Sequence, residues 1–138
     1  MLTSTASGVF VDTAGFLARW LPRDANHRKA VAAWSRIAGR RLFTSNHVVD
    51  ETLTLLARRA SYAFAREKAE SIFASVALEI LYSTREDELE ALTLFGKYAD
   101  QEVSFTDCVS FVLMKRHHVS TAFTFDRHFA LAGWRQIP

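Results

Sequence analysis

The chain has 138 residues, of which 49% are hydrophobic and 23% charged, and its formal net charge is +2 at pH 7. This composition excludes a disordered chain, and the length fits a single domain over residues 1–138 with one hydrophobic core. The longest nearly apolar run, from Ser71 to Leu81, is interrupted by Glu79 and is too short to span a membrane. A single cysteine, Cys108, cannot form an internal disulfide, and the amino terminus lacks the pattern of a secretory signal. We therefore expect a soluble protein of the reducing cytoplasm.

Short runs of β-branched and aromatic residues alternate along the chain with stretches of helical periodicity. The predicted strands cover residues 8–12, 41–46, 77–83, 119–125 and 134–138. The predicted helices cover residues 13–20, 24–39, 47–60, 61–75, 85–100 and 104–118. Strands that alternate with helical crossovers predict an α/β fold in which helices cover both faces of a parallel sheet.

Several predicted helices carry local start or stop signals. Pro22 halts the first helix, Gly39 stops the second, and Thr84 can cap the fifth, whose acidic first turn complements the helix dipole. The helix over residues 104–118 is apolar nearly all round, which predicts a central position.

Four acidic residues fall near the predicted carboxyl ends of strands. Asp12 follows the first strand, Glu51 begins the helix after the second, Asp107 begins the central helix, and Asp126 ends the fourth strand. Ligands of doubly wound sheets bind at this edge, where the strand order reverses. Each acid also has an ordinary explanation as a helix cap or as helix surface.

Asp107 fits an ordinary role least well, because the rest of its helix face is largely apolar and its carboxylate is expected to point into a buried layer. A buried carboxylate needs a partner, and converging acids repel one another unless they are protonated or neutralised by a cation. Carboxylate oxygens suit Mg²⁺ or Mn²⁺. The sequence therefore predicts a metal site at this edge, which explains why the buried segment over residues 119–125 leads into Asp126.

These motifs resemble those of the PIN-domain ribonucleases and, within that family, the VapC-type toxins of prokaryotic toxin–antitoxin pairs. The likeness follows the element order of the whole chain and is strongest in VFVDTAGFLA, TSNHVVDETLTLL and SFTDCVSFVLMKRHHVSTAFTFDRHFALAGW. The resemblance implies a three-layer α/β/α sandwich with a parallel five-stranded sheet. It assigns Asp12, Glu51, Asp107 and Asp126 to the family's four acidic positions, and Thr13 matches the small hydroxyl residue that is usual after the first.

The resemblance also implies an activity and partners. The chain would be a Mg²⁺-dependent endoribonuclease, with Mn²⁺ as a substitute, that hydrolyses RNA by direct attack of water. Asp12, Asp107 and Asp126 would be direct or water-bridged ligands of one or two ions, and Glu51 would complete the shell or orient the water. A cognate antitoxin would cover the helical region and reach the acidic pocket, and the toxin would form a homodimer.

One assignment depends on the resemblance alone. Asp50 adjoins Glu51, and helical periodicity places both residues at the margin of the apolar stripe. The resemblance, through the residues ET before LTLL, assigns Glu51 rather than Asp50 to the family's acidic position.

Other residues near the acids remain open. Asn46, His47, Arg127 and His128 are of types that bind phosphate, although ordinary solvated surface is the more usual role for each. A phosphate-facing rim could be supplied by Arg36, Arg40, Arg41, Arg58, Arg59, Lys115 and Arg116. Trp20 and Trp34, near the ends of the early helices, are candidates for a partner surface.

Two rival functions are a non-catalytic PIN-like module for RNA binding or assembly, and a phosphoacceptor receiver domain. Retention of all four acids argues against the first. The second normally needs a lysine after a late strand, and none follows Lys115.

Overall fold

The short β-branched and aromatic runs form the strands of one sheet. The structure is a computed structural model that describes residues 8–138, and residues 1–7, which include most of the amino-terminal stretch discussed above, lie outside the described residues. The strands are β1 (Val9–Val11), β2 (Leu42–Ser45), β3 (Leu78–Leu81), β4 (Thr121–Phe123) and β5 (Arg135–Ile137). The helices of this described part are α1 (Thr13–Trp20), α2 (His27–Ile37), α3 (Asn46–Arg59), α4 (Tyr62–Ala74), α5 (Arg85–Lys97), α6 (Phe105–Arg116) and α7 (His128–Leu131), with a 3-10 turn at Ala99–Gln101.

All strand pairs of the sheet are parallel, and the strand order is β3-β2-β1-β4-β5. β1 is central and its three residues are fully buried. The chain builds outward from β1 through β2 to β3 and then returns to the other side of β1 with β4. The order therefore reverses between β1 and β4, and the carboxyl ends of these two strands flank the reversal. The predicted α/β/α sandwich with a parallel five-stranded sheet is confirmed, whereas the extent of a single domain over residues 1–138 stays a prediction.

Local signals in the sequence define several helix boundaries. α1 ends at Trp20, two residues before Pro22, and α2 ends at Ile37, two residues before Gly39, whose φ of 91° lies in the left-handed region that favours glycine. Thr84 caps α5 in a complete capping box: its hydroxyl accepts from the Asp87 N–H at 3.1 Å, and the Asp87 carboxylate accepts from the Thr84 N–H at 2.9 Å.

α6 is central, as its composition predicts. Every residue from Asp107 to Met114 is buried, including Cys108, which is a core side chain. None of the helices in residues 8–138 is both long and apolar enough to cross a membrane.

At Gly15, α1 lies so close to the end of β4 that only glycine fits. A Cβ atom at this position would lie 2.4 Å from the Phe123 carbonyl oxygen. The same approach lets the Asp12 N–H donate to that oxygen at 3.2 Å. Gly15 thus helps to place the end of β1 beside the segment that follows β4.

One sequence expectation needs correction. The fourth strand was expected to run to residue 125 and to end on Asp126, but β4 ends at Phe123, so Asp126 lies in the following loop. The two tryptophans are half-buried: the Trp20 ring stacks on Phe16 with centroids 5.0 Å apart, and the Trp34 ring packs edge-on with Phe123 at 5.5 Å. Their role at a partner surface stays a prediction.

Candidate active site

The four predicted acids line one cavity at the carboxyl ends of the central strands. The cavity has a volume of about 370 Å³ and is lined by Asp12, Glu51, Asp107 and Asp126 together with Thr13, His128 and others. Asp50 is exposed and does not line it. The structure therefore brings together the residues that the sequence singled out, and their catalytic role stays a prediction.

Asp12 follows β1 and is 2% exposed. Its Oδ2 accepts a hydrogen bond from the Thr124 hydroxyl at 2.8 Å, while its Oδ1 is buried without a partner among the described residues. The residue occupies the N-cap position of α1, but its side chain makes no capping bond. Helix capping therefore does not explain this carboxylate.

Asp107 lies in the first turn of α6 and is 4% exposed. Its backbone N–H donates to the Ser104 hydroxyl at 3.1 Å. The reciprocal bond from the Asp107 carboxylate, which would complete a capping box, is absent from this helix, in contrast to α5. The carboxylate is instead directed into the cavity.

Asp126 is held by side-chain bonds to the backbone of its loop. Its N–H donates to the Thr124 hydroxyl at 3.0 Å, and its Oδ1 accepts from the His128 N–H at 2.9 Å. Thr124 therefore bridges Asp12 and Asp126 with one hydroxyl group. The sequence reasoning missed this role of Thr124, although a threonine two residues before Asp126 was visible in TFD.

Burial and mutual repulsion raise the pKa of two of these carboxyl groups. Burial raises the pKa of Asp12 to about 7, opposed by the Thr124 hydrogen bond and reinforced by the charges of Asp126 and Glu51. Burial also raises the pKa of Asp107 to about 9, reinforced by the charge of Asp12 and by contact with the Asp126 carboxyl group. The cluster therefore retains protons near neutral pH unless a cation replaces them.

His128, which the sequence left open as a possible phosphate-binding residue, lines the same cavity as the acids. Its side chain is 16% exposed, and its Nδ1 lies 3.1 Å from Asp126 Oδ1 and 3.6 Å from Asp107 Oδ2. Neither contact has hydrogen-bond alignment, so both ring nitrogens are buried without a hydrogen-bond partner. Donor atoms of Asp107, Asp126 and His128 all lie within 4.8 Å of one another, and Asp12 and Glu51 lie in the same cavity outside this group of three.

The other residues left open by the sequence lie elsewhere. His47 Nε2 is 3.2 Å from Glu88 Oε2, and Asn46 Oδ1 accepts from the Ser83 N–H at 3.2 Å. Arg127 is exposed. These contacts join α3 to the first turn of α5 and to the segment before it, so His47 and Asn46 have structural roles.

One member of the predicted cationic rim lies at the same cavity as the acids. Arg59 lines the cavity. Arg41 instead pairs with Glu79 at 3.3 Å, and Arg116 pairs with Asp87 at 2.8 Å. Among the described residues, the cavity lining therefore includes fewer of the predicted cationic residues than the sequence suggested.

The residues present fit a divalent cation. The donors are carboxylate oxygens and one imidazole, and Asp12 Oδ1 is buried without a partner. In the part of the chain that the structure describes, none of the four acids forms an ion pair with a lysine or arginine. A buried anionic cluster of this kind needs a positive charge or protons.

Comparison with known proteins identifies the family. Residues 9–134 match the PIN domain model. The chain is 33% identical over 129 residues to the 23S rRNA-specific endonuclease VapC20 of Mycobacterium tuberculosis, covering 94% of this chain and 97% of that protein. It is 31% identical over 125 residues to a VapC ribonuclease of Archaeoglobus fulgidus, covering 88% of this chain and 78% of that one.

Solved structures agree. The crystal structure of M. tuberculosis VapC20, described as a sarcin–ricin loop cleaving toxin, matches with a TM-score of 0.85 at 32% identity, covering 91% of this chain and 95% of that one. FitAcB from Neisseria gonorrhoeae shares the fold, with a TM-score of 0.64 at 15% identity, covering 94% of this chain and 96% of that one. The chain belongs to the PIN-domain family and, within it, to the VapC-type proteins.

Proposed function

We propose that the chain is a Mg²⁺-dependent endoribonuclease and the toxin of a toxin–antitoxin pair. The observation that carries the proposal is the cavity in which the buried Asp12 and Asp107 meet Glu51 and Asp126 without a lysine or arginine ion pair in the described part of the chain. Similarity to proteins named endonuclease and ribonuclease supports the reaction class.

Asp12, Asp107 and Asp126 would hold the cation, and Mn²⁺ would substitute for Mg²⁺. When bound, the ion would polarise the scissile phosphate and lower the pKa of a bound water. The Thr124 hydroxyl donates to the Asp12 carboxylate at 2.8 Å and so helps to orient this proposed ligand. Glu51 lines the same cavity and is available to orient water.

Arg59 gives the cavity a cationic wall. Its guanidinium lies on α3, two turns beyond Glu51, and both residues line the cavity. A phosphate group that enters beside the acids meets this charge, and arginine forms paired hydrogen bonds with phosphate oxygens. We assign Arg59 to binding of the RNA backbone.

The relatives suggest which RNA to test first. The M. tuberculosis relative is named a 23S rRNA-specific endonuclease, and its crystal structure is described as a sarcin–ricin loop cleaving toxin. A synthetic hairpin with the sarcin–ricin sequence is therefore the first substrate for this chain, with an unrelated hairpin of equal length for comparison.

The decisive experiment measures cleavage of that hairpin with Mg²⁺, with Mn²⁺ and with excess EDTA. We expect cleavage with either ion and none in EDTA. Asp12→Asn and Asp107→Asn should each reduce the rate at least about a hundredfold, which corresponds to roughly 3 kcal/mol of barrier. Asp50→Asn is the matched control because Asp50 is exposed outside the cavity. Undiminished cleavage in EDTA would refute the metal dependence.

The toxin proposal is tested in cells. Induced expression in a prokaryotic host should arrest growth, expression of Asp12→Asn should not, and co-expression of the cognate antitoxin should restore growth. Harmless expression of a folded wild-type protein would instead favour the non-catalytic PIN-like module. A homodimer and the antitoxin interface stay predictions from the resemblance.

A further inference from the structure

His128 places an imidazole nitrogen beside two of the carboxylates. Its Nδ1 is 3.1 Å from Asp126 Oδ1 and 3.6 Å from Asp107 Oδ2. An ordinary histidine–carboxylate pair would align the ring N–H with one oxygen, but neither contact here has that alignment. The ring is therefore close to both acids without being hydrogen-bonded to either.

These distances suit ligands that share one ion. Adjacent ligands of an octahedral ion with bonds of roughly 2.0–2.1 Å lie about 3.0 Å apart. The separations of 3.1 and 3.6 Å between the nitrogen and the two oxygens are close to this value. Donor atoms of Asp107, Asp126 and His128 are also the set that could hold one ion in the described residues.

The surrounding structure fixes the ring in this place. The backbone N–H of His128 donates to Asp126 Oδ1 at 2.9 Å, and this bond folds the backbone back over the acid. The next residue, Phe129, is fully buried and packs edge-on against Phe111 of α6 with ring centroids 5.0 Å apart. Because α6 also carries Asp107, the same packing sets the distance between the imidazole and that carboxylate.

We infer that His128 Nδ1 is a ligand of the metal ion, together with Asp107 and Asp126, so that the site is a mixed nitrogen and oxygen site. The inference rests on the proposed metal-dependent function and names one of its ligands. Imidazole nitrogen favours first-row transition ions, whereas Mg²⁺ prefers oxygen ligands. The site should therefore bind Co²⁺ and Mn²⁺ more tightly than an all-carboxylate site would, with little effect on Mg²⁺.

The first test detects the bond directly. Wild-type protein loaded with Mn²⁺ is measured by electron spin-echo spectroscopy, in which a coordinated nitrogen modulates the signal. We expect nitrogen modulation that changes when the histidines carry the heavier nitrogen isotope and disappears in His128→Asn. Bound Mn²⁺ without nitrogen modulation, or with modulation that persists in His128→Asn, would overturn the inference.

The second test compares affinities by calorimetry. His128→Asn should weaken Co²⁺ binding at least about tenfold, as loss of a metal contact does, and should change Mg²⁺ binding less than about threefold. His118→Asn is the matched control, because His118 is exposed with a φ of 57° that asparagine accepts readily. Equal weakening of Co²⁺ and Mg²⁺ binding would overturn the nitrogen preference.

The two proposals fail in different ways. If the Mn²⁺ complex shows nitrogen modulation but no RNA is cleaved under any condition, the ligand stands and the ribonuclease proposal falls. If RNA is cleaved and Mn²⁺ binds through oxygen alone, the ribonuclease stands and His128 is not a ligand.

Discussion

Removing the buried charge of Asp12 should stabilise the metal-free protein. The unfolded chain loses this proton near the ordinary pKa of 3.8, whereas burial keeps the folded-state pKa at about 7. Over this window the folded protein binds more protons than the unfolded chain, so the contribution of Asp12 to the free energy of unfolding falls as pH rises from about 4 to 7 and then stays level. The energetic cost of the carboxylate is therefore fully present at pH 8. The contribution of Asp107, whose folded-state pKa is about 9, continues to fall above pH 7.

The magnitude follows from the shift. One pKa unit is worth about 1.36 kcal/mol, so about three units correspond to roughly 4 kcal/mol. The charges of Asp12 and Asp107 repel each other, so the energetic cost belongs partly to each group. We therefore expect Asp12→Asn to raise the free energy of unfolding by roughly 2 kcal/mol at pH 8. The asparagine carbonyl can still accept the Thr124 hydrogen bond, so the change removes charge while keeping that contact.

Urea unfolding in EDTA at pH 5 and pH 8 measures the effect. Wild type and the exposed control Asp50→Asn should both lose stability between these pH values, and Asp12→Asn should lose less. Saturating Mn²⁺ should then reverse the order, because an ion at a hundredfold excess over its Kd adds about 2.7 kcal/mol to a protein that binds it only when folded. If Asp12→Asn is less stable than wild type at pH 8 in EDTA, the carboxylate is already neutralised and the argument for a metal is wrong.

Three further changes test how the site is built. Glu51→Gln should abolish most RNA cleavage, whereas Asp50→Asn should still cleave RNA and change stability by only about 0.3–1 kcal/mol. If a cleavage assay finds Asp50→Asn inactive and Glu51→Gln active, the functional acid is Asp50. Thr124→Val should weaken Mn²⁺ binding, measured by calorimetry, because it removes the hydroxyl that donates to Asp12 and lowers the pKa of that carboxyl group. Thr124→Ser keeps the hydroxyl and should not weaken binding. Gly15→Ala should destabilise the fold in urea by at least about 1–3 kcal/mol, since its Cβ meets backbone at 2.4 Å, whereas Gly96→Ala on open helix surface should be neutral or stabilising.

Local chemistry explains why much of the fold could be predicted. The stops at Pro22 and Gly39 and the cap at Thr84 depend on residues within one turn of the helix end, so the sequence contains the whole signal. The all-round apolar character of α6 likewise has one consequence, which is burial. The strand order was not predicted, because it depends on contacts between strands that lie far apart in the chain.

The end of β4 could not be predicted from its own residues. Alternating aromatic and hydroxyl residues continue through Phe125, and this pattern suits a strand. The pairing of β4 with β5 ends at Phe123 and Ile137, and the Thr124 N–H makes the last bond, to the Ile137 carbonyl at 3.0 Å. Where a strand ends depends on its partner, which lies elsewhere in the chain.

The choice between Asp50 and Glu51 was open for a similar reason. Both residues flank the apolar stripe of α3, and periodicity gives the direction of each side chain relative to the helix alone. The angle at which α3 meets the sheet decides which side chain enters the cavity. In the structure Glu51 lines the cavity and Asp50 is exposed, as the resemblance preferred.

The loop after β4 shows why one short segment can contribute three groups to the site. Once the ladder has ended, the N–H groups of Asp126 and His128 have no strand to bond, and the side chains of Thr124 and Asp126 accept them at 3.0 and 2.9 Å. These bonds turn the chain so that Thr124 meets Asp12 and His128 meets Asp107. Capping and site formation are therefore not competing explanations for Asp126, because its carboxylate accepts the backbone N–H of His128 and also lines the cavity.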